Sequence, residues 1–139
     1  MSPREQPNPA GYSGTPLPQK LGIKPAHVLF LDGQPADVEL GDLPAGTVVR
    51  RLPQQADVTI TWHLSAASLE KRLPVLFERT STAGMVWVCW PKKASKVPSD
   101  LDDNVVRRIG LDAGFVDVKV AAIDATWSGQ KFVRRLRDR

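Results

Sequence analysis

The sequence predicts a three-layer α/β domain, with helices on both faces of a mainly parallel sheet and an antiparallel hairpin at its C-terminal end. Three observations carry this. The short apolar runs from His27 to Asp32 and from Gly84 to Trp90 have the composition of strands buried on both faces, as parallel strands are. Apolar residues at helical spacing follow each run, at Leu69, Leu73, Leu76 and Phe77 and again at Leu101, Val105 and Ile109. Strands that alternate with helices require crossover connections, which make the strands parallel and lay the helices over the sheet.

Taken in order, the chain begins with Pro3, Pro7, Pro9, Pro16 and Pro18, with Gly11 and Gly14 among them. Such a composition sustains neither a helix nor a ladder for long, so residues 1–14 are read as a flexible tail and residues 15–139 as one domain. Thr15 is expected to cap a short helix with Pro16 in its first turn, Leu17 and Leu21 as anchors and Gly22 as its stop. The run from His27 to Asp32 is the first strand. Ala36 to Leu43 is expected to hold a helical turn, Thr47 to Arg50 a short strand, and Asp57 to Trp62 a β-branched strand.

Ser65 then caps a helix that Pro74 should kink or split. Gly84 to Trp90 follows as a buried strand closed by Pro91. Ser99 with Asp102 resembles a capping box for a helix ending by Gly114. Val116, Val118, Val120 and Ala122 alternate with Asp117, Lys119 and Ala121, predicting a strand with unlike faces. Ser128-Gly129 is expected to turn it into a last strand from Lys131 to Leu136. The whole order is a Rossmann-like plan.

Composition excludes several classes. A chain of 139 residues, 42% hydrophobic and 24% charged, suits one globular core. Its longest apolar stretch is far below the roughly 20 residues of a membrane-spanning helix, and no secretory or lipidation signal is expected, which points to the cytoplasm. Cys89 has no partner for a disulfide and sits in an apolar run, as a buried, inert thiol would. One cysteine and two distant histidines, His27 and His63, offer no metal-ligand spacing, so no metal is expected.

Ligands of open parallel sheets bind beyond the carboxyl ends of the strands, where the chain diverges and leaves a crevice. The predicted strands send Asp32, Trp62, His63, Trp90, Lys92, Lys93 and Asp124 to that edge. The turn from Thr126 through Trp127 and Ser128 to Gly129 lies there too. With Lys96, these groups would suit an anionic ligand with a flat portion, either a small molecule or an acidic protein segment. Each has a plainer reading: the lysines as a solvated loop, Asp124 and Ser128 as hairpin-setting residues, and Trp62, Trp87 and Trp90 as core.

His63 could carry protons near neutral pH, or be structural. Tyr12 and Ser13, within Gly11 to Pro16, are candidates for a lid over the edge. Asp102 and Asp103 fit the macrodipole of a helix start. Lys131, Arg134, Arg135, Arg137 and Arg139 form a basic end that could attract nucleic acid, or simply be solvated. Four tryptophans and a terminal hairpin are also compatible with a homodimer.

Two resemblances bear on function. The succession of Asp57 to Trp62, Ser65 to Arg79, Gly84 to Trp90, Ala113-Gly114-Phe115 and a final hairpin resembles the methyltransferase branch of the Rossmann-like folds. That branch implies an S-adenosylmethionine site at a glycine-rich loop after the first strand. Here that loop is Asp32-Gly33-Gln34-Pro35-Ala36, with one glycine and a proline, which implies that the cofactor site is lost.

Gly11 to Leu17, Lys20 to Ile23, Trp90 to Lys93, Asp103 to Arg107 and Asp124 to Gly129 resemble a family of small bacterial proteins whose function is unknown. The expected function is therefore a non-catalytic or degenerate methyltransferase-like module binding an anionic ligand at the carboxyl edge. A group-transfer enzyme using S-adenosylmethionine, with Asp32 on a cofactor ribose and Asp124 or His63 handling protons, is the alternative. A nucleic-acid-binding accessory protein is a third reading.

Overall fold

A computed structural model describes residues 14–52 and 55–138. A short helix α1 (Leu17–Lys20) leads into β1 (Val28–Asp32), β2 (Val48–Arg50) and β3 (Ala56–Trp62). Then come α2 (Ala66–Arg79), β4 (Thr80–Pro91), α3 (Asp103–Asp112), β5 (Phe115–Ala122) and β6 (Trp127–Arg134). The strands form one sheet in the order β2-β1-β3-β4-β6-β5. β1 pairs in parallel with β2 and β3, and β3 with β4, while β6 runs antiparallel to both β4 and β5. Thus β6 opposes the direction shared by the other strands, and the carboxyl ends of β1 to β5 meet at one edge. This is the Rossmann-like sheet with a C-terminal hairpin that the sequence predicts.

Alternation along the strands divides the core between the two faces of the sheet. Leu29, Leu31, Val58, Ile60 and Trp87 face one side, covered by Leu21 and Ile23 after α1 and by Val38 and Leu40 of the loop after β1. Phe30, Val86, Val88 and Phe132 face the other, beneath Leu69, Leu73 and Leu76 of α2 and Val106 and Ile109 of α3. Contact between α3 and β6 is so close that a Cβ on Gly110 would lie 2.2 Å from the Phe132 ring. Glycine is therefore required at a helix-interior position that it otherwise weakens.

Several local expectations are corrected. The cap of α1 is Pro16, with no side-chain bond from Thr15. Between Ala36 and Leu43 there is a tight turn, Val38 N–H donating to Pro35 C=O, and not a helical stretch. Helix α2 continues through Pro74, because Leu69, Leu73 and Leu76 on either side are fully buried and hold both halves on the sheet. β4 starts at Thr80, ahead of Gly84, since Thr80 pairs with Ala56 before an irregularity near Gly84. A Cβ on Gly84 would lie 2.8 Å from the Ala56 carbonyl oxygen, so glycine there permits close approach and does not mark the strand's start.

Helix α3 is capped by Asp102, whose carboxylate accepts from Val105 N–H at 2.8 Å, and not by Ser99. Ser99 Oγ instead donates to the Leu64 carbonyl. The valine alternation of β5 is interrupted by a register shift between Asp117 and Lys119, which leaves Val118 and Val120 half exposed on an edge strand. The hairpin turns at Asp124, whose Oδ1 accepts from the Thr126 and Trp127 amides, and Ser128-Gly129 is already strand. Among the described residues, no helix is long and apolar enough to cross a membrane.

Candidate functional site

Parallel pairing in register sets Asp32 at the end of β1 directly beside Thr61 near the end of β3. Two residues after Thr61, His63 occupies the same face of the chain. The helix that follows begins at once: Ser65 Oγ accepts from Ser68 N–H, and Ser65 C=O takes the Leu69 amide. Asp100 Oδ1 accepts from Ala66 N–H at 2.7 Å. The first turn of α2 is thereby fixed over the strand ends, with Ser68 one residue into the helix from Ala67.

These elements assemble an unbroken chain of polar side chains. Arg72, a turn further along α2, donates from Nε to Asp32 Oδ2 at 2.9 Å and from Nη2 to Oδ1 at 2.7 Å. Thr61 Oγ1 donates to Asp32 Oδ2 at 2.7 Å and lies 2.7 Å from His63 Nε2. His63 Nδ1 is 2.7 Å from Ser68 Oγ. The chain thus runs from the guanidinium through the carboxylate, the threonine hydroxyl and the imidazole to an exposed serine.

A hollow of about 620 Å³ opens above it, lined by Asp32, Gly33 and His63 on the strand side and by Ala67, Ser68, Lys71, Arg72 and Val75 on the helix side. That volume suits a small organic ligand. Burial lowers the pKa of His63, with Asp32 opposing the shift and Arg72 adding to it, so the imidazole is neutral at pH 7. The hydrogen bonds to Asp32 raise the pKa of Arg72 and keep the guanidinium charged.

Of the residues the sequence nominated, Asp32, Trp62 and His63 belong to this hollow. Lys92, Lys93 and Ser128 line a separate hollow of about 290 Å³ with Trp90, Asp102, Asp103 and Val120. Lys92 N–H donates to Thr126 C=O at 2.7 Å, tying the exit of β4 to the hairpin turn. Lys96 is exposed, in a left-handed conformation at the end of a single 3-10 turn. Asp124 serves the turn with both of its amide contacts. Trp127 is no exposed turn residue: it opens β6 and is buried, within the same core cluster as Leu31 and Trp62. Tyr12 and Ser13 lie outside the described residues.

Burial raises the pKa of the Cys89 thiol far above its usual range, which makes it inert. The basic C-terminal segment has structural partners. Arg134 donates to the Phe77 and Thr80 carbonyls and covers the Phe77 ring, and Arg135 reaches the Leu111 carbonyl. These are the carbonyl ends of α2 and α3, where cations are favoured.

Thr61, Ser68, Lys71 and Arg72 were missed by sequence reasoning. A signal was present. Ser68, Lys71, Arg72 and Val75 recur at helical spacing on the side of α2 away from Leu69, Leu73 and Leu76, and the first turn of that helix had to fall at the strand ends.

No protein-family model matches the sequence, and no curated protein is significantly similar to it. Solved structures do share its fold. The pyocyanin biosynthetic protein PhzM superposes with a TM-score of 0.59 at 13% identity, over 86% of this chain and 53% of its own. The SAM-bound magnesium protoporphyrin IX methyltransferase of Synechocystis PCC 6803 gives 0.55 at 10% identity, over 86% of this chain and 74% of its own. The fold is methyltransferase-like. A ribosomal protein methylase of Lactobacillus delbrueckii subsp. bulgaricus gives 0.53 at 10% identity, over 84% and 74%. This chain spans about half the length of PhzM.

The residues present do not form the cofactor cradle that this fold implies. A glycine-rich cradle lets backbone approach a ligand, yet a Cβ on Gly33 would meet only the Trp62 carbonyl at an ordinary 3.7 Å. Glycine is needed there for its φ of +74°, which turns the chain out of β1. The loop it enters is internally bonded, Gln34 Nε2 donating to Val38 C=O, and no helix follows before β2. Both oxygens of Asp32 are committed to Arg72 and Thr61.

Proposed function

We propose that the chain is a methyltransferase-like module that has lost its methyl-donor cradle and binds a small anionic ligand in the crevice between β1, β3 and the start of α2. The reading places it in the bacterial cytoplasm, within the small family its motifs resemble. One observation carries it: the helix wall of the 620 Å³ hollow presents Lys71 and the amide end of α2, with the Ser68 hydroxyl between them. Arg72 is neutralised by Asp32, which leaves Lys71 as the cation available to a ligand. The Ala67 amide, without a partner among the described residues, and the helix dipole also favour an anion there.

The test is a nuclear magnetic resonance titration of the intact chain with inorganic phosphate and with simple dicarboxylates. The amides of Ala67, Ser68 and His63 are expected to shift. Lys71→Ala should weaken binding about fivefold, the scale of one partly exposed charge contact of roughly 1 kcal/mol. If no anion moves these amides at millimolar concentration, or if Lys71→Ala leaves the affinity unchanged, the reading is wrong. Calorimetric heat on adding S-adenosylmethionine would instead restore the group-transfer alternative.

A further inference from the structure

Hydrogen-bond accounting along the polar chain fixes where each proton lies. An ionised carboxylate only accepts, so the single hydroxyl proton of Thr61 points at Asp32. The Thr61 oxygen can then only accept from His63, which places the ring proton on Nε2. Nδ1 is left with its lone pair, and the Ser68 hydroxyl, 2.7 Å away, must donate to it. The outcome is a serine whose proton is already directed at a neutral imidazole, while its oxygen lines the open hollow.

We infer that Ser68 is a nucleophile with His63 as its general base, and that the crevice hydrolyses a small ester carrying an anionic group. The substrate's charge rests on the anion-site reading above, whereas the serine–histidine chemistry does not. Three features beyond the pairing support it. Ser68 is exposed while His63 is only 7% exposed, so attack is open to a ligand and the base is shielded from water. The Ala66, Ser68 and Leu69 amides are all bonded, which leaves the Ala67 N–H, on the wall of the same hollow, without a partner among the described residues. A free amide at a helix start beside the nucleophile is what a developing oxyanion needs.

The chemistry closes. Ser68 Oγ bonds to the carbonyl carbon as its proton passes to Nδ1, and the negative charge forms on the carbonyl oxygen. The bond to the leaving alkoxide then breaks, and the alkoxide takes the proton from Nδ1. Water repeats the sequence on the acyl-serine: its oxygen bonds to carbon, its proton moves to Nδ1, and Ser68 leaves with that proton restored. Ester and water give carboxylic acid and alcohol. Thr61 and Asp32 are positioning residues: they hold the tautomer and face the imidazolium that forms transiently.

The experiment is labelling of the intact chain with an uncharged fluorophosphonate, followed by peptide mass spectrometry. Ser68 Oγ should displace fluoride and carry a single phosphonyl adduct. Ser68→Ala should abolish it, and Ser95→Ala should not affect it. His63→Gln should slow labelling at least about 100-fold, the usual scale of general-base assistance. Thr61→Val should slow it and Thr61→Ser restore it, with the His63 nitrogen shifts reporting loss and recovery of the Nε2–H tautomer. An unlabelled Ser68 in the wild-type chain overturns the inference, as does labelling that is equally fast in a folded His63 variant. The two readings separate cleanly. Phosphate binding without labelling sinks the nucleophile and spares the anion site, and labelling without any anion effect does the reverse.

Discussion

Thr61→Val tests whether the polar chain at the strand ends is a set of real interactions or a coincidence of packing. Thr61 is fully buried, and valine matches its shape, so the change removes two hydrogen bonds without opening a cavity. The bond to the Asp32 carboxylate is of the charged kind, with a net contribution of about 1.5–3 kcal/mol. The His63 Nε2–H would be left buried and unpaired, at a further cost of about 1–3 kcal/mol. Burying an extra methyl returns about 0.8 kcal/mol. The net loss should be about 2–5 kcal/mol. With a urea slope of about 1.5 kcal/mol per molar for a domain of this size, the midpoint should fall by about 1.3–3.3 M. Thr61→Ser keeps the hydroxyl and loses a methyl, so it should cost only about 1 kcal/mol. A pure packing role gives the opposite order, with valine at least as stable as threonine and serine the weakest. That order in urea denaturation would refute the reasoning.

The lowered pKa of His63 means that the unfolded chain binds a proton more readily than the folded one, so stability should be full above the unfolded value of 6.5 and decline as pH falls through it towards the folded pKa. The charged groups that face the ring are Asp32 from β1 and Arg72 and Lys71 from α2, and a His63→Gln variant should lose that component of the acid slope in denaturation at stepped pH. The tryptophans should respond unequally to replacement by phenylalanine. Trp87 Nε1 donates to the Leu21 carbonyl at 2.9 Å, whereas the buried Trp62 Nε1 has no partner among the described residues. Trp87→Phe should therefore cost roughly 1–2 kcal/mol more than Trp62→Phe, and equal losses would count against that difference in pairing.

Much of the fold was legible because it is written in local patterns. Phe30 between Leu29 and Leu31 is apolar on both faces of the chain, which happens only where a strand is covered on both sides. The Ser65 cap, with leucines at 69, 73 and 76, placed the start of α2 and its buried face. What the sequence concealed was decided by contacts distant along the chain. Gly84 looks like a strand boundary until Ala56 is seen lying against it, and Pro74 looks like a break until the sheet beneath both halves of α2 is counted. Ser128-Gly129 has the composition of a turn, but Asp124 captures two amides first, and Gly129 is needed where Ile123 and Trp87 crowd β6.

The candidate site was half legible for the same reason. Strand direction alone sent Asp32 and His63 to one edge, and they meet there. It could not show that the lysines after β4 open on a different hollow, because that hollow is walled by the start of α3 and by β5 and β6, whereas Asp32 and His63 share theirs with α2. Nor could it show that the most consequential neighbour of His63 is Ser68, five residues on and across a helix start. A histidine just past a strand, a helix cap two residues later, and a hydroxyl in that helix's first turn form a geometry that sequence can suggest only when all three are read together. Read singly, each has a dull explanation. Joined by bonds of 2.7 Å, they determine which nitrogen of the ring is free, and that determination gives the serine its chemistry.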